Sequence, residues 1–254
     1  LLKFGAKIDH KNKQAQTPLV KAVLLGRVDI AKLLIKYGAS ESELLERGEE
    51  LLKGLIEEQK KEGIEFLVER GIVDRSNNFK SDSIIVEIAK LGDVEWIKRF
   101  RDKGHSLLEK NHMGETILTV AIGNKCFEIV DYLAKTEDAK ELFKDNIDNI
   151  KTKPLVKAVN SFDQQIFDIV IKNTPVIYEQ TFGLIFKIAI AKELLGVLHW
   201  LIENRERNEF SGLFPNLLSQ HALEDFIERY ASYEIFHYLD KVLYEDRLSS
   251  RLLQ

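Results

Sequence analysis

The chain has 254 residues, of which 44% are hydrophobic and 31% are charged, and its formal net charge is −4. A chain of this length can bury a large core, and its acidic balance argues against nonspecific nucleic-acid binding, which requires a basic surface. Only four prolines and fourteen glycines are present, so the composition disfavours turn-rich β architectures and favours helices.

The single cysteine, Cys126, excludes an intrachain disulfide bond and a cysteine-based zinc site, and it indicates a reducing compartment. No run of the sequence reaches the roughly 18 apolar residues that a membrane-spanning helix requires. The first residues, LLKFGAKID, lack the apolar core and the cleavage site of a signal peptide. They also lack an initiator methionine, so we expect the sequence to be part of a longer chain.

Glycines recur every 33 residues in the first half of the chain, at Gly5, Gly38, Gly71 and Gly104. Each follows an apolar run, where a glycine can adopt the left-handed conformation that ends a helix. Repeated helix ends at this spacing predict a solenoid. The hexapeptide PLVKAV occurs twice, starting at Pro18 and at Pro154. This separation equals four of the 33-residue periods plus four residues.

In the first complete repeat, Thr17 is placed to cap a helix that begins with Pro18 and ends before Gly26. Apolar residues at helical spacing from Val28 predict a second helix, closed by Gly38. Such a helix pair cannot bury its apolar stripe alone, so each repeat must pack against its neighbours. The side chains expected between repeats are Leu33, Leu34 and their counterparts Tyr132 and Leu133.

The segment TPLVKAVLLGRVDIAKLLIKYGAS resembles the ankyrin repeat, whose pattern is T-P-L-H-x-A-A-x-x-G-H-x-E-I-V-x-x-L-L-x-x-G-A-D. Weaker matches in the same register lie at 50–71, 83–104 and 111–135, and PLVKAVNSFDQQIFDIVI restarts the pattern. The resemblance implies an all-α ankyrin-repeat solenoid of stacked helix-turn-helix units, irregular toward the C-terminus and forming a single domain over 1–254. The predicted repeats are 1–9 (partial), 10–40, 41–73, 74–106, 107–142, 143–175, 176–207 and 208–254 (a diverged cap).

The family's histidine after T-P-L is replaced in three repeats, by Val20, Thr119 and Val156. Because that histidine bridges neighbouring repeats by hydrogen bonds in the family, we expect apolar stacking to supply most of the cohesion here.

Ankyrin repeats bind partner proteins on a concave surface made of loop tips and first helices, and the resemblance implies the same surface in this chain. The candidate partner-binding residues are Lys13, Gln14, Leu24, Leu25, Phe79, Lys80, Leu91, His112, Met113, Glu115 and Asn124. Exposed apolar members of this set are typical of a binding patch. The alternative is that Leu24 and Leu25 cover a further helix upstream and that Phe79 is buried.

The segment 41–70 holds ten glutamates against five lysines and arginines. It is interpreted as a solvated helix face, and the alternative is an acidic patch that steers a basic partner.

No pattern typical of a catalytic, cofactor-binding or metal-binding site is present. The six histidines show no metal-ligand spacing, and no phosphate-binding glycine motif occurs. Cys126 is interpreted as a small filler residue in a turn, and Trp96 and Trp200 are interpreted as core residues.

The sequence therefore predicts a monomeric, cytoplasmic, non-catalytic protein–protein interaction module. Its partner would be a protein, with no nucleic acid, no membrane span and no cofactor. An alternative is that the chain is the recognition arm of a larger enzyme or of a secreted bacterial effector, acting then in a host cytoplasm. A third hypothesis is that 176–254 forms a separate helical domain with its own activity.

Overall fold

The computed structural model describes residues 6–73, 83–145, 153–203, 234, 235, 237–239 and 241. Across these residues the secondary structure is helical and contains no strand; an isolated antiparallel bridge joins Lys110 and Thr116. The predicted all-α class is therefore confirmed. Phe79, Lys80 and most of the predicted repeat 208–254 lie outside the described residues. The contacts divide the chain into an N-terminal unit, Leu1–Val120, and a C-terminal unit, Ala121–Gln254.

The N-terminal unit is built from helix pairs that contact one another. Its helices are α1 (Pro18–Leu24), α2 (Val28–Lys36), α3 (Ser42–Glu46), α4 (Gly48–Glu57), α5 (Lys61–Glu69), α6 (Ile84–Ile88), which continues as a 3-10 turn over Ala89–Leu91, and α7 (Val94–Asp102). Helix α1 packs against α2, α4 against α5 and α6 against α7. Successive pairs also touch, because α4 contacts both α1 and α6, and α5 contacts both α1 and α2.

The C-terminal unit follows the same plan. Helix α8 (Ile117–Gly123) begins in the N-terminal unit and ends in this one. The helices that follow it are α9 (Phe127–Ala134), α10 (Ala139–Leu142), α11 (Pro154–Ser161), α12 (Gln164–Asn173), α13 (Glu179–Ala191) and α14 (Leu195–Glu203). Helix α11 packs against α12 and α13 against α14, while α9 contacts α12 and α11 contacts α13.

Left-handed backbone recurs at the turn between the two helices of each pair. The residues with positive φ at this turn are Gly26, Gln59, Gly92 and Lys125, spaced by 33 residues, followed by Phe162 and Glu193. The next residue donates its N–H into the preceding helix, as from Arg27 to the carbonyl oxygen of Ala22 at 2.8 Å and from Lys60 to that of Leu55 at 2.8 Å. A backbone hydrogen bond of this kind, from the residue after a left-handed residue back to a carbonyl oxygen of the helix, is a common way for a helix to end. The period is therefore a property of the backbone, even where the turn residue is not glycine.

The predicted ends of the second helices are confirmed wherever the structure describes them. Gly38, Gly71 and Gly104 have φ values of 90°, 67° and 92°, and each lies two positions after the last residue of α2, α5 or α7. Gly5 lies outside the described residues.

The two copies of PLVKAV occupy equivalent places in the fold. Each begins a helix with its proline, in α1 and in α11. The same four side chains are buried in each copy, namely Leu19, Val20, Ala22 and Val23, and Leu155, Val156, Ala158 and Val159. The residue before the proline differs: the Thr17 hydroxyl caps α1 by accepting the Val20 N–H at 3.3 Å, whereas Lys153 makes no side-chain cap.

Of the side chains predicted to pack between repeats, Leu133 is fully buried, whereas the prediction is wrong for Leu33, which is 52% exposed. Leu34 and Tyr132 are half-buried. Phe66, one period after Leu33, is buried on α5, and α5 contacts the preceding pair α1 and α2. The described residues supply no preceding pair for α2, so Leu33 keeps its solvent contact.

Candidate partner-binding surface

The first loop tip of the predicted surface is held by one asparagine side chain. The Oδ1 atom of Asn12 accepts the backbone N–H groups of Gln14 at 2.9 Å and Gln16 at 3.0 Å. The backbone N–H of Asn12 in turn donates to the carbonyl oxygen of Gln16 at 2.9 Å. Because the turn satisfies its own backbone groups, Lys13 and Gln14 are presented on a defined backbone.

The same loop tip recurs three periods later. The Oδ1 atom of Asn111 accepts the N–H groups of Met113 at 3.0 Å and Glu115 at 2.9 Å, and the Asn111 N–H donates to the Glu115 carbonyl oxygen at 3.0 Å. Thr116 then caps α8 by accepting the Thr119 N–H at 3.3 Å, as Thr17 caps α1. The Thr119 hydroxyl donates a hydrogen bond to the Thr116 carbonyl oxygen at 3.0 Å.

The candidate residues differ in how far solvent reaches them. Lys13, Gln14, Leu25, His112, Met113 and, in the C-terminal unit, Asn124 are exposed, whereas Leu24, Leu91 and Glu115 are half-buried. Leu25 is 53% exposed and Met113 is 62% exposed, so both keep the apolar exposure expected of a binding patch. Leu24 faces the next helix pair, because a Cβ atom at Gly54 of α4 would lie 3.7 Å from its Cδ2 atom.

The acidic segment 41–70 is largely paired with cations. The glutamates in ion pairs are Glu41, Glu43, Glu49, Glu50, Glu65 and Glu69. Several partners come from neighbouring helix pairs, such as Arg99 of α7, 2.8 Å from Glu65, and Lys32 of α2, 3.9 Å from Glu69. Exposed pairs of this kind each contribute about 0.2–1 kcal/mol. The geometry favours the solvated-face interpretation over an acidic docking patch.

Glu43 differs from the other paired glutamates of this segment because its side chain is buried. Burial raises the pKa of its carboxyl group, but hydrogen bonding to Thr17 and Arg47 and the charge of Lys11 outweigh that effect, so the pKa lies below its ordinary value. The Lys11 ammonium lies 3.5 Å from Oε1 of Glu43 and the Arg47 guanidinium lies 3.2 Å from it. The carboxylate therefore ties the first loop to the start of the second repeat.

Cys126 has the surroundings of an inert thiol. Burial, reinforced by the charge of Glu128, raises the pKa of its side chain, whereas an activated cysteine requires a lowered pKa. Its sulfur lies 3.6 Å from the carbonyl oxygen of Asn124, in the turn before α9.

Within the described ranges, no group of three or more His, Cys, Asp or Glu side chains is arranged to hold a metal ion. None of the helices in that same part of the chain combines the length and apolarity needed to cross a membrane.

Sequence reasoning missed a buried polar cluster and an apolar groove, both in the C-terminal unit. The cluster joins Lys153, Asp145 and Thr181, all nearly inaccessible to solvent. The groove has a volume of about 510 Å³ and lies between α11 and α13. No sequence signal marked either feature, because their residues come from segments that are separated along the chain.

No protein-family model matches the chain, and a search of curated proteins yields no match.

Proposed function

We propose that this chain is a divergent ankyrin-repeat solenoid and acts as a non-catalytic protein–protein interaction module. It binds a partner protein through the loop tips and first helices of its repeats. The observation that carries this proposal is the exposure of Met113 on the hydrogen-bonded Asn111 loop and of Leu25 at the C-terminal end of α1. An exposed apolar side chain on a preorganised loop or helix end gains contact area on binding at a low cost in conformational entropy.

Two further observations support the ankyrin assignment. Left-handed residues recur every 33 residues at Gly26, Gln59, Gly92 and Lys125, and the Asx-turn at Asn12 reappears at Asn111. Ankyrin repeats combine such a loop with a helix pair of this length. The raised pKa of the Cys126 thiol argues only against this cysteine as a nucleophile.

The test compares partner capture by the intact chain and by the double variant Leu25→Gln, Met113→Gln. The purified protein serves as bait, and recovered proteins are quantified by mass spectrometry. We expect the double variant to lose its specific partner while its circular dichroism spectrum and melting temperature stay unchanged, because both side chains are exposed.

The matched control is Leu33→Gln, which removes an equally exposed leucine from α2, a second helix. The control should capture the partner as the wild type does. Equal recovery by all three proteins would refute the proposed surface.

A further inference from the structure

Helix α2 turns a row of large apolar side chains toward solvent. Ile30, Leu33 and Tyr37 are 40%, 52% and 57% exposed. Their spacing of three and four residues places them on one face of the helix, and we call this row the α2 stripe. Ala31, on the opposite face, is fully buried. The helix is therefore packed on one face, toward α1 and α5, and open on the other.

The corresponding face of the next repeat is covered by a helix pair. One period after Ile30 and Leu33 lie Gly63 and Phe66 of α5, and both are buried. A Cβ atom at Gly63 would lie 2.8 Å from the Val23 carbonyl oxygen of α1, so this face of α5 packs against the preceding pair. The α2 stripe is thus a surface of the kind that packs against a helix, and the described residues offer it none.

One edge of the α2 stripe carries an anion and a cation. Asp29 lies four residues before Leu33 and Lys36 lies three residues after it, so both flank the stripe on the same side, and both are exposed. Within the part of the chain that the structure describes, neither Asp29 nor Lys36 belongs to an ion pair. Lys32, the other cation beside this edge, already lies 3.9 Å from Glu69 of α5. The edge therefore offers one charge of each sign to a molecule that packs on the stripe.

We propose that the α2 stripe binds the α2 stripe of a second copy of this chain, with the two helices antiparallel around a two-fold axis near Leu33. The two apolar rows then cover each other, and Asp29 of each copy meets Lys36 of the other. Every contact is made twice, as in any isologous interface. Charges that flank a packed helix pair set its orientation, and a parallel pair would instead bring like charges together.

The charge pattern selects a second copy as the occupant. A purely acidic or purely basic partner would oppose one of the two flanking charges, whereas the same helix in the antiparallel direction matches both. One helix face is a small interface, so the dimer should be weak, with a Kd in about the micromolar range. The inference does not depend on the proposed function, and it departs from the monomer that the sequence predicts.

Sedimentation velocity of the full chain between about 1 and 200 µM tests the dimer. We expect the sedimentation coefficient to rise with concentration from the value of a monomer toward that of a dimer. Asp29→Lys and Lys36→Asp should each weaken association by at least about tenfold, because each places like charges together twice. An equimolar mixture of these two variants should associate again, since each variant supplies the charges that the other lacks.

The matched control is Glu46→Lys, which reverses an exposed charge on α3 rather than on α2. It should associate as the wild type does, and circular dichroism verifies that each variant folds. Leu33→Gln, which changes the centre of the stripe, should weaken the dimer. A chain that stays monomeric at every concentration would overturn the inference. So would a dimer that the charge variants do not weaken, or that their mixture does not restore.

Partner capture is a separate measurement and keeps the two proposals distinguishable. The double variant Leu25→Gln, Met113→Gln should dimerise as the wild type does, because neither side chain belongs to the α2 stripe. Leu33→Gln should still capture the partner protein, now as a monomer. Failure of the charge-variant mixture with intact partner capture overturns the dimer and leaves the proposed function standing, whereas a double variant that still captures the partner counts against the proposed function alone.

Discussion

The ammonium group of Lys153 lies 2.9 Å from Oδ1 of Asp145 in the interior of the C-terminal unit, where the two side chains are 3% and 0% exposed. Lys153 also donates to the Thr181 hydroxyl, and Oδ2 of Asp145 accepts the backbone N–H of Tyr178 at 3.1 Å. The pair thus connects the chain after α10 to the starts of α11 and α13. Lys153 occupies the position that the capping residue Thr17 holds in the first PLVKAV copy, and it makes a buried ion pair where Thr17 makes a helix cap.

Replacing one partner of this pair should destabilise the protein strongly. In Lys153→Met the Asp145 carboxylate stays buried without its cation, and the uncompensated charge costs about 3–5 kcal/mol. Urea denaturation followed by circular dichroism measures the change.

The double variant Lys153→Met, Asp145→Leu serves as the control for this prediction. Because both charges are then absent, most of the lost stability should return. A single variant as stable as the wild type would show that the ammonium group contributes nothing in the folded state.

Two glycines should respond oppositely to alanine. At Gly63 of α5 a Cβ atom would lie 2.8 Å from the Val23 carbonyl oxygen and 2.6 Å from Cδ2 of Leu55, so Gly63→Ala should cost about 1–3 kcal/mol through overpacking. At Gly54 the nearest atom is Cδ2 of Leu24 at 3.7 Å, so Gly54→Ala should stabilise α4 by about 0.5–1 kcal/mol. Melting temperatures test both, and equal effects would contradict the close approach of α5 to α1.

The left-handed turns predict a second opposed pair of substitutions. Gln59 has a φ of 52°, which costs an L-residue about 1–2 kcal/mol. Glycine removes this cost but gives the unfolded chain more conformational entropy, so Gln59→Gly should stabilise the protein by a net of about 0.5–1 kcal/mol. Gly26, one period earlier with a φ of 68°, should lose about 1 kcal/mol as Gly26→Ala. Differential scanning calorimetry would detect each shift; if Gln59→Gly were destabilising, the turn would depend on the glutamine side chain.

Stability should fall as the solution becomes acidic, through Glu43 and Asp93. A hydrogen bond from Lys61 lowers the pKa of Asp93 despite the opposing effect of burial, and the pKa of Glu43 is also lowered. A carboxyl group with a lowered pKa in the folded state stabilises the fold above its ordinary pKa, which is 4.5 for Glu and 3.8 for Asp. That stability is lost as pH falls through the folded-state pKa.

Urea midpoints measured between about pH 7 and pH 3 test this dependence. The variant Glu43→Gln should be less stable than the wild type at neutral pH, and the difference should shrink in acid. Glu46→Gln, which changes an exposed glutamate of α3, is the control and should keep the wild-type slope. An unchanged slope in Glu43→Gln would mean that the Lys11 and Arg47 contacts do not favour the charged carboxylate.

The helical class and its period could be predicted from the sequence because they depend on local chemistry. Apolar residues at helical spacing define each helix, and Gly38, Gly71 and Gly104 mark helix ends because a left-handed backbone is least costly for glycine. Thr17 and Pro18 mark a helix start for equally local reasons.

The turns at Gln59 and Lys125 were not predictable in the same way. Their side chains carry no preference for positive φ, and the conformation is imposed by the closing hydrogen bonds of two packed helices. The prediction that Leu33 packs between repeats was wrong for a different reason. Its position on the helix is apolar, but its burial requires a helix pair before α2.

The linear sequence by itself determined where the helices lie, how often they recur and which loop positions face outward, since each of these follows from residues within one turn or one repeat of each other. Tertiary structure alone decided which charges are neutralised and where apolar surface stays open. Glu65 appears unpaired in an acidic run until α7 brings Arg99 to 2.8 Å, and Leu184 becomes the floor of a groove only when α13 packs beside α11. Electrostatic and packing free energies depend on distances through space, and distances between repeats are set by folding.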